Sequence, residues 1–249
     1  MKSAPTVSLL IASSAFTLVS SAAMGADVNC KAESNAALTP VIELYTSEGC
    51  SSCPPADKWL STLKSSATQG RAVVQAFHVH YWDYIGWADR FATPAHRTRQ
   101  VQISNWNRLN NIYTPQVVRN GLDWRDWRRA VSVNGDEMSR AVIKLQRTSA
   151  DAFEASVAPA EGVTAWSAYW SVTEHAHSTA VKAGENAGEL LNHDFVVRQY
   201  VPVGDYRGTQ TLKFSAIAAN KAHPRQVNLV VFDGKTGKTL QALSLACPA

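Results

Sequence analysis

The stretch that most constrains this chain is Cys50-Ser51-Ser52-Cys53, together with what stands on either side of it. Before it runs Val41-Ile42-Glu43-Leu44-Tyr45, a short β-type run, and after it Pro54-Pro55-Ala56-Asp57-Lys58-Trp59-Leu60 reads as the start of a helix. Two thiols at this spacing can close a disulfide across one helical turn. The first thiol also faces the positive end of the helix dipole, which favours the thiolate that attacks disulfides. Glu48, two residues upstream, is an acid that works against that effect.

The chain start reads as a secretory signal peptide over residues 1–26. Lys2 supplies a positive charge, Val7 to Val19 is apolar apart from Ser and Thr, and small residues follow up to Ala23 and Ala26. The expected product is therefore periplasmic or secreted, with no membrane segment after signal cleavage. The net charge of +4 is dispersed, so no nucleic-acid partner is expected. An exported chain meets oxidising conditions, where cysteines pair. There are four. The local pairing is Cys50–Cys53, which leaves Cys30 with Cys247 as a bond between opposite ends of the mature chain. Loop entropy gives such a bond about 5 kcal/mol at most. The alternative is two free thiols, one of them exchanging with Cys50 or Cys53.

Along the chain, a helix is expected from Ser52 to Lys64, with the proline pair in its first turn. A strand is expected over residues 72–80, and an aromatic loop follows from Trp82 to Trp87. Thr93-Pro94 marks the start of a second helix running to Leu109. Asn120-Gly121 sits between extended runs and signals a hairpin. Pro115, just before an internal strand, suits a cis bond. Asp136 to Thr148 is expected as a helix. Beyond residue 150 only short extended segments and turns follow, among them the turn at Asp233-Gly234. The order implies an α/β, thioredoxin-like fold with a helical insertion over residues 27–150. A smaller antiparallel β-rich, sandwich-like domain is expected over 151–249.

Several segments carry a family resemblance: residues 41–57 around the cysteines, His78-Val79-His80-Tyr81-Trp82-Asp83-Tyr84-Ile85-Gly86-Trp87, Tyr113-Thr114-Pro115-Gln116, Gly184-Glu185-Asn186-Ala187-Gly188, and His193-Asp194-Phe195. The chain resembles a family of bacterial secreted proteins of unknown function, domain of unknown function 1223, within the thioredoxin-like superfamily. The resemblance implies Cys50 as nucleophile, Cys53 as resolving thiol and Pro115 as the cis-proline. Two positions depart from thioredoxin: Gly49 stands where Trp is usual, and Ser51-Ser52 replaces Gly-Pro.

Other residues complete the candidate site. Glu43, an acid inside an apolar strand, is a candidate proton shuttle to Cys53. Thr114, Tyr81 and Trp82 are candidates for lining a substrate groove. His78 and His80, on one face of a strand, could join the cysteines in a copper or zinc site; packing and hydrogen bonding is the plainer account of both. His175 and His177 repeat that pattern. Glu185 and Asn186 read as turn-stabilising. Nothing implies a cofactor. The expectation is an exported thiol–disulfide oxidoreductase acting on protein thiols and disulfides. The rivals are a secreted binding protein with a structural disulfide and a metal carrier.

Overall fold

Short runs rich in Val, Ile and aromatic residues build most of this chain, and such runs favour the pleated, half-buried surface of a sheet. The structure, a computed structural model, describes Met1 and residues 30–130 and 133–248. Beyond Met1, the signal peptide expected at residues 1–26 lies outside the described residues.

The first half contains β1 (Lys31–Glu33), β2 (Val41–Thr46), α1 (Pro54–Ser61), α2 (Lys64–Thr68), β3 (Val73–His78), α3 (Pro94–Trp106), β4 (Gln116–Arg119), β5 (Leu122–Asp123) and β6 (Ala141–Arg147). The second half contains β7 (Ala152–Pro159), β8 (Trp166–Glu174), β9 (His177–Ala180), β10 (Leu190–His193), β11 (Val196–Tyr206), β12 (Gln210–Ser215), β13 (Arg225–Phe232) and β14 (Thr239–Leu245).

Eight strands form one sheet in the order β14-β13-β8-β11-β3-β2-β4-β5. β2 and β3 are parallel, with Thr46 opposite His78. β11 joins β3 in parallel through Val196 opposite Ala76. A second, antiparallel sheet has the order β1-β6-β7-β12, and β9 and β10 form a separate hairpin.

The expected α/β thioredoxin-like fold with a helical insertion is therefore corrected. Strand accounts for 41% of the structure and helix for 16%, so the fold is β-rich. Two physical causes account for the difference. The helix expected at Asp136–Thr148 is replaced by β6, whose Ala141, Ile143, Leu145 and Arg147 are buried while the residues between them are exposed. That alternation has the period of a strand. In addition, β8, β11, β13 and β14 extend the sheet begun by β2 and β3 rather than closing a sheet of their own. Residue 150 consequently separates neither sheet: β6 and β7 flank it in the small one, and β3 and β11 pair across it in the large one.

The faces of the large sheet are assigned by strand alternation. Ile42, Leu44, Val74 and Ala76 pack under α1 with Ala56 and Leu60. Val41, Tyr45, Val73 and Phe77 face the other way, toward Ile103 of α3 and Tyr169 of β8. Trp166, Trp170, Val172, Leu229 and Val231 meet the small sheet, where Trp170 stacks on Phe214 with ring centroids 5.0 Å apart. Cys30 and Cys247 are disulfide-bonded, with Cα atoms 5.7 Å apart. Arg147 supports this closure: its amide donates to the Cys30 carbonyl at 2.9 Å and its guanidinium to the Pro248 carbonyl at 2.8 Å.

Candidate functional site

Pro54 and Pro55 occupy the first turn of α1, where amide donors lack helical partners anyway. They fix the helix start at Cys53, and the motif follows β2 directly. Cys50 and Cys53 are disulfide-bonded. Both are fully buried, while Ser51 and Ser52 between them are exposed.

Two loops hold this turn. In the first, the residue at Gly49 lies so close to Trp82 that a Cβ there would sit 3.0 Å from the Trp82 Cβ. The Trp82 indole N–H in turn donates to Thr114 Oγ1 at 2.7 Å, and the Thr114–Pro115 bond is cis. Trp82 thus ties the cysteine loop to the segment entering β4. Tyr81 packs into the α3-side core, with its ring centroid 6.5 Å from that of Trp82. From the same loop, Trp87 Nε1 donates to Glu48 Oε2 at 2.8 Å. The second loop comes from the other half of the chain. Glu185 accepts from the Ser51 amide at 3.0 Å, and Asn186 Nδ2 donates to the carbonyls of Glu48 and Cys50 at 2.8 and 3.1 Å. Glu185 and Asn186, expected as turn stabilisers, therefore bind the backbone of the cysteine turn. No local sequence signal marks that role.

Behind the disulfide lies a buried polar cluster. Thr46 donates to Asp57 Oδ2 at 2.9 Å, placing the Asp57 carboxylate between α1 and the end of β2. Beside it, His78 at the end of β3 faces His193 at the end of β10, with ring centroids 4.9 Å apart. His78 Nδ1 is 2.7 Å from Asp89 Oδ2, and that carboxylate also accepts from the amides of Glu48 and Phe91. Burial pushes the Asp89 carboxyl up, but His78 and the two amides outweigh it and hold the group below the ordinary carboxylate range. Burial likewise opposes charge on His193, yet Asp57 and Glu48 beside it raise its pKa to about 9. Burial raises Glu48 too, and contacts with His193 and Trp87 help to reverse this, so its pKa falls. His193 Nε2 is 3.4 Å from Glu48 Oε1, and Nδ1 is 3.9 Å from Asp57 Oδ1. Neither contact is an aligned hydrogen bond.

Glu43 is not part of this arrangement. It shares the strand face of Val41 and Tyr45, opposite to the one α1 covers, so it cannot serve Cys53. Its carboxylate accepts from Tyr45 and Tyr169 hydroxyls at 2.5 and 2.9 Å and pairs with Arg99 at 2.8 Å. The acid on the cysteine side is Asp57, one helical turn beyond Cys53, a spacing visible in the sequence. The expected His78–His80 pair is also corrected: β3 ends at His78, and the imidazole that meets it is His193. His175 and His177 are separated by Ala176 at positive φ, which breaks the strand alternation. They engage Asp194 and Glu174 respectively, away from the cysteines.

A family model described as a protein of unknown function, DUF1223, matches residues 41–232. Among solved structures, protein AGR_C_4864 from Agrobacterium tumefaciens is similar at 23% identity and a TM-score of 0.62, covering 84% of this chain and 95% of that one. HBP35 of Porphyromonas gingivalis is similar at 13% identity and a TM-score of 0.55, covering 86% of this chain and 76% of that one. At these identities the likeness is one of fold alone. No curated protein matches the chain.

Proposed function

We propose, for a chain that belongs to the DUF1223 family, that it is an exported thiol–disulfide oxidoreductase working through Cys50 and Cys53. One observation carries the reading: the disulfide at the start of α1 and the Thr114–Pro115 segment are held against one another by Trp82. A substrate backbone laid along Thr114 would then meet the cysteine turn. Kinship with the thioredoxin-like superfamily belongs to this proposal and concerns the β2–α1–β3 motif, not the fold class. Pairing of all four cysteines supports an oxidising, extracytoplasmic location.

In the reducing direction, the Cys50 thiolate attacks a substrate disulfide, forming a mixed disulfide and releasing the first substrate thiolate. The Cys53 thiolate then attacks Cys50 Sγ, and the Cys50–Cys53 bond forms as the second substrate thiolate leaves. Two electrons pass from the cysteine pair to the substrate, and each released thiolate takes a proton from water. Protein thiols and disulfides are the partner class.

A second reading is favoured by the complete burial of both sulfurs under Asn186: a secreted binding protein in which the bond is structural. The reduction potential of the pair separates the two. It is read in glutathione buffers by alkylation and mass spectrometry of the mature protein. A value near or above about −270 mV is expected for exchange chemistry, whereas one below about −300 mV makes the bond a structural staple.

A further inference from the structure

The polar cluster behind the disulfide contains more buried donor atoms than partners for them. His78 and Glu48 are fully buried and His193 is 3% exposed, yet His78 Nε2, both ring nitrogens of His193 and Glu48 Oε1 accept or donate no hydrogen bond. Unsatisfied buried polar atoms are rare because each is expensive to leave unmade. Here several converge on one point. One ligand atom from each of Asp57, His78 and His193 lies within 4.8 Å of the others. Glu48 Oε1, 3.4 Å from His193 Nε2, adds a fourth within reach.

The surroundings match what metal centres require of their second layer. A metal-binding imidazole almost always gives its other nitrogen to a carboxylate, which fixes its tautomer and direction. Asp89 occupies that place for His78 Nδ1 and leaves Nε2 pointing inward. The Asp89 carboxylate is itself fixed by the amides of Glu48 and Phe91. The Phe91 ring stands edge-on to both imidazoles, at 5.1 and 5.8 Å, as an apolar wall. The carboxylates of Glu48, Asp57 and Asp89 surround the two imidazoles, and the oxygens and ring nitrogens together make a donor set that a cation can share. Asp57 and His193 also line a cleft of about 550 Å³ that opens beside Ser51 and Pro54.

We propose that Asp57, His78 and His193, with Glu48 as a fourth ligand, form a binding site for one divalent transition-metal cation of the zinc class. Two imidazoles with carboxylate oxygens suit Zn²⁺ and its neighbours, and a four-ligand nitrogen and oxygen set favours tetrahedral geometry. The site uses neither cysteine, so it coexists with the closed disulfide. Asp57 lies on the same helix as Cys53, so a bound ion would tie the first turn of α1 to β3 and β10. Asp89 is a positioning residue for His78 and does not touch the ion.

The test is zinc binding to the mature, oxidised protein, read by equilibrium dialysis with metal analysis, and by absorption spectroscopy with Co²⁺ as substitute. One equivalent of zinc is expected. Asp57→Asn and His193→Ala should each weaken binding at least about tenfold, and Asp89→Asn about 10–100-fold, while His80→Ala leaves it unchanged. The Co²⁺ form should show the intense d–d bands of a four-coordinate nitrogen and oxygen site, without a sulfur charge-transfer band. Absence of saturable zinc binding by the unsubstituted protein, or undiminished binding by His193→Ala, would overturn the proposal. If the variants fail to fold, the Co²⁺ spectrum of the unsubstituted protein decides: a thiolate band, or weak octahedral bands only, defeats it.

Discussion

The two faces of the β2–β3 pair each bury charge, and they do so in opposite ways. On the α3 face Glu43 is saturated: two tyrosine hydroxyls and the Arg99 guanidinium occupy it, and Arg99 lies over the rings of Tyr169, Trp106 and Phe232 at 4.7 to 5.5 Å. On the α1 face Glu48, Asp57, His78 and His193 sit equally deep but leave ring nitrogens and a carboxylate oxygen unmatched. A carboxylate matched on both oxygens serves to hold strands and helix in place, although Arg99 Nη1 beside it has no acceptor. An open network, beside the Cys50–Cys53 disulfide and a cleft, leaves donor atoms free for a ligand. Burial alone does not distinguish the two; what differs is that both oxygens of Glu43 are matched while Glu48 Oε1 and the facing imidazole nitrogens are not.

The largest effect that would test this contrast is on the closed face. Arg99→Met should leave Glu43 buried and uncompensated, costing about 3–5 kcal/mol in urea unfolding. A loss under about 1 kcal/mol would mean the two faces do not differ as described. Asp89→Asn, on the open face, removes a charged acceptor shared by His78 and two amides and should cost about 1.5–3 kcal/mol by the same measurement. Asn186→Ala strips two donors from the loop over the disulfide. A loss of about 1 kcal/mol is expected, with faster reduction of Cys50–Cys53 by dithiothreitol followed by alkylation. If that rate does not change, the loop is not the cover. Smallest of all, Glu185→Gln should leave the melting temperature unchanged, because the side chain is exposed, and raise only the reduction rate.

The sequence revealed most where the signal was local. Thr93 before Pro94 announces α3, and the Thr93 hydroxyl does accept from the His96 amide at the cap. Asn120 and Gly121 take positive φ in the hairpin between β4 and β5, as that dipeptide suggests. Legibility ended where one element had to choose a partner far along the chain. Nothing near Val196 says that it will pair with Ala76, and that single parallel contact joins the two halves of the large sheet. β6 reads as helix because Arg140, Ala141, Lys144, Leu145 and Gln146 are helix formers, and they mask the strand preference of Val142 and Ile143 between them. The cysteine pair itself was plain. Glu43 reads as a candidate proton shuttle because alternation says which residues share a face but not which face a helix will cover. His193 and Asn186 reach the site from more than 130 residues away, and only the folded sheet brings them there.

The bond between Cys30 and Cys247 also decides what a single cut in the backbone can do. It closes the polypeptide into a covalent ring, so a protease that nicks an exposed turn, such as the one at Asn220–His223, opens the ring without releasing a fragment. The nicked molecule keeps both ends of the cut tethered through the sheet and the sulfur bridge, and only a second cut or a reductant sets a piece free.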